Sequence, residues 1–125
     1  MAFTETADGL SERMLKRRLF VVHSHLVGAP ATLRTYVVEH LEHQIAMEKR
    51  GVLFAAGPYL DGDGTPTGDG LIILRASDRA EAERIAASDP FHRHGVRTFE
   101  VRPWQLNEGR IGVSFDFSDQ TYALS

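Results

Sequence analysis

Hydrophobic positions along the chain follow two different periods. A run rich in β-branched and aromatic residues at 19–25 is typical of a buried strand. From 31 to 50 the apolar positions repeat with a helical period, and Gly51 follows as a C-terminal cap would. Shorter apolar runs at 52–56 and 71–74 predict two further strands.

The remaining elements complete a recognisable order. Residues 61–70 are dense in glycine and aspartate, which favours a hairpin with a long mobile loop between the second and third strands. Asp78, followed three residues later by Glu81, resembles a capping box that begins a second helix reaching about residue 88. Residues 96–104 return to a strand pattern. The order βαββαβ within 19–104 predicts an α+β, ferredoxin-like domain with an antiparallel sheet and both helices on one face.

The C-terminal segment carries the cleanest alternation in the chain. Every second residue from Ile111 to Phe117 is apolar, and the residues between them are small or polar. This extra C-terminal strand follows a finished four-strand unit, so it indicates either an addition to the sheet edge or an arm laid on a partner subunit. The domain organisation expected is therefore an N-terminal lead-in at 1–18, one domain at 19–104 and a C-terminal strand or arm at 105–125.

Composition and charge exclude several classes of protein. The chain has 125 residues, of which 42% are hydrophobic and 25% charged, as in an ordinary globular domain. A net charge of −3 gives no general attraction for nucleic acid, and the one basic cluster, at 13–18, is explained as a solvated approach to the first strand. We expect no nucleic-acid partner.

The chain contains no cysteine, which excludes disulfides and thiolate chemistry and is typical of a reducing compartment. The longest apolar run, at 52–56, is too short for a signal peptide or a membrane span. These features predict a cytoplasmic protein without a membrane partner.

The histidines occur in close pairs, which suggests a metal site, but the sequence does not supply a complete set of ligands. A metal site needs three or four convergent ligands, and none of the close pairs belongs to a full signature such as HExxH. The loop that begins at Asp61 also fails as a calcium-binding EF-hand, because Ile72 occupies the position of the required glutamate. The three pairs are His23 with His25, His40 with His43, and His92 with His94. We therefore predict no metal. The pattern assigns no role to the first pair or to the third.

His40 is the most informative of these histidines. At about 100° per residue, His40 and Gln44 fall within the apolar face of the first predicted helix. One interpretation is a core histidine bonded to a backbone carbonyl or to Gln44, and the other is a functional imidazole. Helical geometry alone leaves both open.

Asp89 likewise has two interpretations. Aspartate before Pro90, with Gly95 after the end, describes a short capped turn of helix, and capping explains the residue without catalysis. The aromatic residues Tyr59, Phe91 and Trp104 are suited to lining a pocket, although in so small a core they are equally explained by packing.

Taken together, these pieces resemble the YciI-like (YCII-related) family, in its longer-chain subgroup. The resemblance runs through most of 19–104, and the order and spacing of its pieces are more specific than any one of them. They are the opening strand, His40-Leu41, Ala56-Gly57-Pro58, Asp89-Pro90-Phe91 and Val101-Arg102-Pro103-Trp104, with a tail similar to the subgroup at Asn107-Glu108-Gly109 and Phe117-Ser118-Asp119.

The resemblance implies a homodimeric α+β barrel with pockets between sheet and helices, and a catalytic pair that maps onto His40 and Asp89. Relatives of this fold act on muconolactones and chlorinated aromatic breakdown products, by isomerisation or loss of HCl. Short members often carry arginine three residues before the histidine, where this chain has Val37, which puts an anion-binding role at that position in doubt.

The leading hypothesis is therefore a cofactor-independent lyase or isomerase that removes a proton from carbon next to a carbonyl in a small ring compound. His40 would be the base, and Asp89 would bind its other ring nitrogen. His43, Tyr59, Phe91 and Trp104 are the expected substrate-binding residues. The alternatives are a cofactor-free monooxygenase, or a non-catalytic dimer that binds a small molecule or serves as an accessory subunit.

Overall fold

The computed structural model describes residues 6–125, which divide into two compact units. Residues 18–105 form one unit, and residues 6–17 with 106–125 form the other. The helices and strands, in chain order, are α1 (Ala7–Glu12), β1 (Arg17–Leu26), α2 (Ala31–Lys49), β2 (Leu53–Leu60), β3 (Pro66–Leu74), α3 (Arg79–Ala87), α4 (Pro90–Arg93), β4 (Arg97–Leu106), β5 (Val113–Asp116) and β6 (Thr121–Leu124).

A four-stranded sheet in the order β2-β3-β1-β4 organises the larger unit. β3 pairs antiparallel with both β1 and β2, with Val22 opposite Ile72 and Ala56 opposite Ile72 on the other side. From Gly68 to Leu74, the residues of β3 alternate between buried and half-buried, because successive side chains point to opposite faces of the sheet. The predicted α+β, ferredoxin-like fold class with an antiparallel sheet is confirmed.

The core lies between one sheet face and the long helices. Val22 and Leu74 from the central strands are at most 1% exposed, and Met47 of α2 and Ala82 of α3 pack into the same cluster. The buried residues of α3 are the small residues Ala82 and Ala86. α2 and the sheet edge are left to enclose a larger space.

Local signals in the sequence mark the helix ends correctly. The Asp78 side chain accepts a hydrogen bond from the Glu81 amide at 2.8 Å, so the predicted cap of α3 is confirmed. Gly51 has a φ of +77°, a left-handed conformation that suits glycine, and ends α2 as predicted.

The hairpin between β2 and β3 is longer, and its loop shorter, than predicted. Residues 66–70 belong to β3, with Pro58 opposite Gly70 and Leu60 opposite Pro66, so the expected long mobile loop is wrong. The connection spans only residues 61–65, where the Asp61 carboxylate accepts hydrogen bonds from the backbone amides of Asp63 and Thr65. Residues that favour turns also tolerate extended backbone when a partner strand satisfies their hydrogen bonds.

The smaller unit contains a helix and a hairpin that sequence patterns did not resolve. Helix α1 lies within the expected lead-in, with the Thr6 hydroxyl accepting from the Gly9 amide. β5 pairs with β6, placing Phe115 opposite Tyr122, and so does not extend the four-stranded sheet. The edge-addition interpretation is therefore wrong, and the arm interpretation stays a prediction.

Candidate active site

A cavity of about 540 Å³ lies within the larger unit, between α2 and the strands β2 and β3. This volume suits a small ring compound. Its walls are mainly apolar, with a few polar side chains from α2 and β4. The lining residues are Pro30, Leu33, Val37, His40, Leu41, Gln44, Ile45, Glu48, Leu53, Ala56, Gly57, Pro58, Pro66, Thr67, Gly68, Gly70, Leu71, Ile72, Phe91 and Arg97.

His40 on this wall is hydrogen-bonded to Asp89. His40 Nδ1 lies 2.8 Å from Asp89 Oδ1, and the two residues are 9% and 2% exposed. Burial by itself raises the pKa of Asp89, but the hydrogen bond and charge of His40, with the Phe91 amide, outweigh it and lower the pKa below its ordinary value. The ionised carboxylate can only accept, so His40 Nδ1 carries the proton of this hydrogen bond, and Nε2 is the ring nitrogen that Asp89 does not contact.

The predicted helix cap and this hydrogen bond use the same oxygen of Asp89. Oδ1 also accepts a hydrogen bond from the Phe91 amide at 2.9 Å, and Pro90 lies in the first turn of α4. The predicted capped turn is therefore confirmed. Oδ2 is buried and has no hydrogen-bond partner among residues 6–125. The short helix α4 thus fixes the position of the carboxylate that His40 contacts.

The interpretation of His40 as a core histidine bonded to Gln44 or to a backbone carbonyl is wrong about the hydrogen-bond partner. His40 and Gln44 are both buried on α2, as the helical pattern predicted. The partner of Nδ1 is nevertheless Asp89, 49 positions away, rather than Gln44 or a backbone carbonyl. Within the described part of the chain, Gln44 Oε1 has no hydrogen-bond partner at all.

Phe91 packs against two charged or ionisable groups. Its ring stacks on the His40 imidazole with centroids 4.1 Å apart, and the guanidinium carbon of Arg97 lies 4.7 Å from the ring centroid. Arg97 Nε donates to the Gly68 carbonyl at 2.8 Å. These contacts place an imidazole and a guanidinium on the wall of one cavity.

Arg97 is the cavity residue that sequence reasoning missed. It lies at the start of β4, where Phe99 and Val101 occupy the following inward positions at a spacing of two. A charged residue in phase with a buried apolar face was the signal that could have identified it.

A second network of hydrogen bonds, centred on His92, holds α4 in place. Ser24, which is fully buried, has its hydroxyl 2.7 Å from His92 Nε2, and His92 Nδ1 donates to the Ala86 carbonyl at 2.6 Å. Burial lowers the pKa of His92, so the neutral ring accepts from Ser24 on Nε2. This network ties β1 and α3 to the helix that carries Asp89 and Phe91, and gives one member of the third histidine pair a structural role.

Of the four residues predicted to bind substrate, Phe91 alone lines this cavity. His43 Nε2 lies 3.2 Å from the Ser88 hydroxyl, and burial lowers the pKa of His43. The Tyr59 hydroxyl lies 3.4 Å from His23 Nδ1, and Trp104 is 42% exposed beside a smaller depression. Binding roles for His43, Tyr59 and Trp104 stay predictions that the cavity does not support.

Residues 6–125 contain no group of three or more histidine, aspartate or glutamate side chains arranged to hold a metal ion. None of their helices is both long and apolar enough to cross a membrane.

The chain belongs to the YCII-related domain family, whose sequence model matches residues 21–105. Among solved structures it is similar to 5-chloro-2-hydroxyhydroquinone dehydrochlorinase from Burkholderia phenoliruptrix AC1100, in complex with 2,5-dihydroxybenzoquinone. The TM-score is 0.57 at 19% sequence identity, over 69% of this chain and 92% of the other, which establishes a shared fold. No curated protein sequence matches this chain.

Proposed function

We propose that this protein is a cofactor-independent lyase or isomerase that removes a proton from a small ring compound bound between α2 and the sheet. The observation that supports this most is the buried hydrogen bond of 2.8 Å between His40 and Asp89 on the wall of an apolar cavity. A base oriented by a carboxylate, with its free nitrogen available to a ligand, is the arrangement that general base catalysis requires.

In the proposed step, His40 Nε2 accepts a proton from a ring carbon next to a carbonyl. The electron pair of the broken C–H bond forms a new π bond, and the charge moves onto the carbonyl oxygen. In an elimination, the carbonyl then re-forms, a double bond forms between the deprotonated carbon and its neighbour, and the bond from that neighbour to chlorine breaks, so that chloride leaves with its electron pair. In an isomerisation, the imidazolium instead returns the proton to another carbon. Asp89 stabilises the imidazolium in both cases, because its negative charge lies against Nδ1.

Elimination of HCl is the favoured form of the reaction. The structural relative is a dehydrochlorinase of a chlorinated hydroxyhydroquinone, and its bound molecule is a dihydroxybenzoquinone. A ring of this size suits the cavity of about 540 Å³ in the present chain. We extend the same class of chemistry to this protein, with chlorinated hydroxylated rings as the first substrates to test.

The decisive experiment measures chloride release from 5-chloro-2-hydroxyhydroquinone and from related chlorinated hydroquinones. Wild-type protein should release chloride, and His40→Ala should reduce turnover about 10²- to 10⁴-fold, the usual contribution of a positioned base. His94→Ala is a matched control, because His94 stacks on Tyr36 away from the cavity and should leave turnover unchanged. The isomerase form is tested in D₂O, where a lactone substrate should gain deuterium.

Equal turnover by His40→Ala and wild type would contradict the proposal. A folded wild-type protein that binds 2,5-dihydroxybenzoquinone but changes none of these compounds would favour the binding module or accessory subunit instead.

A further inference from the structure

The cavity contains a buried cation whose hydrogen-bonding capacity is mostly unused. Arg97 is 8% exposed, and only its Nε donates a hydrogen bond, to the Gly68 carbonyl. Its two terminal nitrogens have no acceptor among residues 6–125, and no carboxylate in that range forms an ion pair with it. Burial lowers the pKa of Arg97, while Asp89 and Asp69 oppose this through space without direct contact. A guanidinium has five N–H donors, so four of them lack a protein partner.

The terminal nitrogens of Arg97 are not among the fully buried side-chain atoms that lack a partner, so they are accessible to a molecule in the cavity that Arg97 lines. Packing against the Phe91 ring holds the guanidinium in one orientation. A planar guanidinium held in this way presents a fork of donors that matches an anionic oxygen pair or a single anionic oxygen.

Gln44 adds a second unsatisfied polar group on the same cavity. Its side chain is 8% exposed and lines the cavity from α2, and its Oε1 is buried without a hydrogen-bond partner in the described range. A buried amide is usually hydrogen-bonded at both ends. A ligand with a hydroxyl group beside its charged oxygen can donate a hydrogen bond to this Oε1.

We propose that Arg97 forms a subsite for an anionic oxygen, with Gln44 Oε1 accepting from a hydroxyl group on the same ligand, so that the cavity selects small ring compounds carrying a phenolate, enolate or quinone-type oxygen anion. This deepens the proposed function and rests on it for the orientation of the ligand relative to His40. Phe91 contacts both His40 and Arg97, so a molecule of ring size can place its acidic C–H at one and its anionic oxygen at the other. Charge that leaves the carbon during proton removal would then accumulate beside Arg97.

Two ligands with the same ring and different charge test the subsite. 2,5-Dihydroxybenzoquinone is anionic at neutral pH, because its hydroxyls are vinylogous acids, and its dimethyl ether is neutral. Titration calorimetry at pH 7 with wild-type protein should show about 10- to 100-fold tighter binding of the anion, as expected for charge-assisted hydrogen bonds. Arg97→Gln should abolish the preference, and Arg97→Lys, which keeps the charge but loses the fork, should retain part of it.

Gly70→Ala gives an independent test if Arg97→Gln fails to fold. A Cβ at Gly70 would lie 2.9 Å from Arg97 Nη1 and 3.5 Å from its central carbon, so the guanidinium must shift while its charge remains. The preference for the anion should fall at least several-fold. Gly62→Ala is the matched control, because a Cβ there meets no atom within 4 Å, and it should bind as wild type does.

The outcomes separate this proposal from the proposed function. His40→Ala should lose turnover but keep the preference for the anion, and a wild type without turnover that still prefers the anion through Arg97 would support the subsite alone. Equal binding of the two ligands, no binding of the anion in the millimolar range, or an unchanged preference in folded Arg97→Gln would each overturn the subsite.

Discussion

Asp89 holds His40 through the same carboxylate oxygen that caps helix α4. Oδ1 accepts a hydrogen bond from His40 Nδ1 at 2.8 Å and another from the Phe91 amide at 2.9 Å. The cap and the orientation of the base are therefore one structural feature, and the two interpretations of Asp89 are not exclusive. The unpartnered Oδ2 makes them separable by experiment.

Replacing Asp89 by asparagine should destabilise the protein even though asparagine caps helices as well as aspartate. If Oδ1 keeps both bonds, the new NH₂ group occupies the buried site of Oδ2, where the described residues offer no acceptor. We expect a loss of about 1–3 kcal/mol in the free energy of unfolding, measured by urea denaturation. The control is Asp78→Asn, an exposed helix cap whose carboxylate accepts from the Glu81 amide, which should change stability by only a few tenths of a kcal/mol. Equal effects of the two substitutions would contradict the assignment.

The effects of Asp89→Asn and His40→Ala on turnover should be non-additive. The amide removes the charge that stabilises the imidazolium and can favour the wrong tautomer, so Asp89→Asn should lower turnover within the range of about 10² to 10⁴ expected for losing the base. The double variant should be little worse than His40→Ala alone, because residues that act as a unit are not lost twice. Steady-state kinetics of the four proteins measures this, and full activity of folded Asp89→Asn would reject the pair.

Stability should fall as the pH drops below about 6.5, because of His92. Burial lowers the pKa of His92 from its ordinary value of 6.5, against the opposing hydrogen bond to the Ala86 carbonyl. The unfolded chain therefore takes up this proton at a higher pH than the folded protein, and protonation favours unfolding. The contribution of His92 stops changing once the pH is below its folded pKa. His43, with a pKa lowered mainly by burial, acts in the same direction.

Urea denaturation between pH 5 and pH 8 checks this dependence. His92→Gln should be less stable at pH 8 but should show a shallower decline on acidification, since one titrating group is gone. His94→Gln, on the surface, is the control and should keep the wild-type slope. An unchanged slope in His92→Gln would contradict the assignment. Asp89 adds a separate loss at lower pH: its folded pKa lies below 3.8, so its contribution disappears only as the pH falls through that folded value.

We expect a homodimer in solution. In the larger unit, Ile73 alternates with the buried residues Ile72 and Leu74 of β3 and is only half-buried. In the smaller unit, Phe115, Phe117 and Tyr122 are 69%, 95% and 72% exposed, which is unusual for a monomer. Light scattering at micromolar concentration should give the mass of two chains, and Phe117→Ser should weaken association if the hairpin is an arm. A monomeric mass would contradict both the dimer and the arm.

The parts of this protein that could be predicted from its sequence are those that depend on interactions between residues adjacent in the chain. The caps at Asp78 and Asp89 and the stop at Gly51 depend on a few adjacent residues, and each is where the pattern predicted. The extent of β3 was misjudged because glycine-rich sequence is compatible with both turn and strand. Pairing with β2 decides between them, and that pairing involves residues outside the local pattern.

The sequence by itself determined the order of elements, the burial of His40 on α2 and the capping role of Asp89, because periodicity and capping are local properties of the backbone. Only the tertiary structure decided that Asp89 meets His40 across 49 positions, that Gln44 is left without that partner, and that Arg97 reaches the same cavity. These contacts depend on how α2, α4 and β4 pack against one another. A change of one residue in strand register would turn Arg97 to the other face of the sheet.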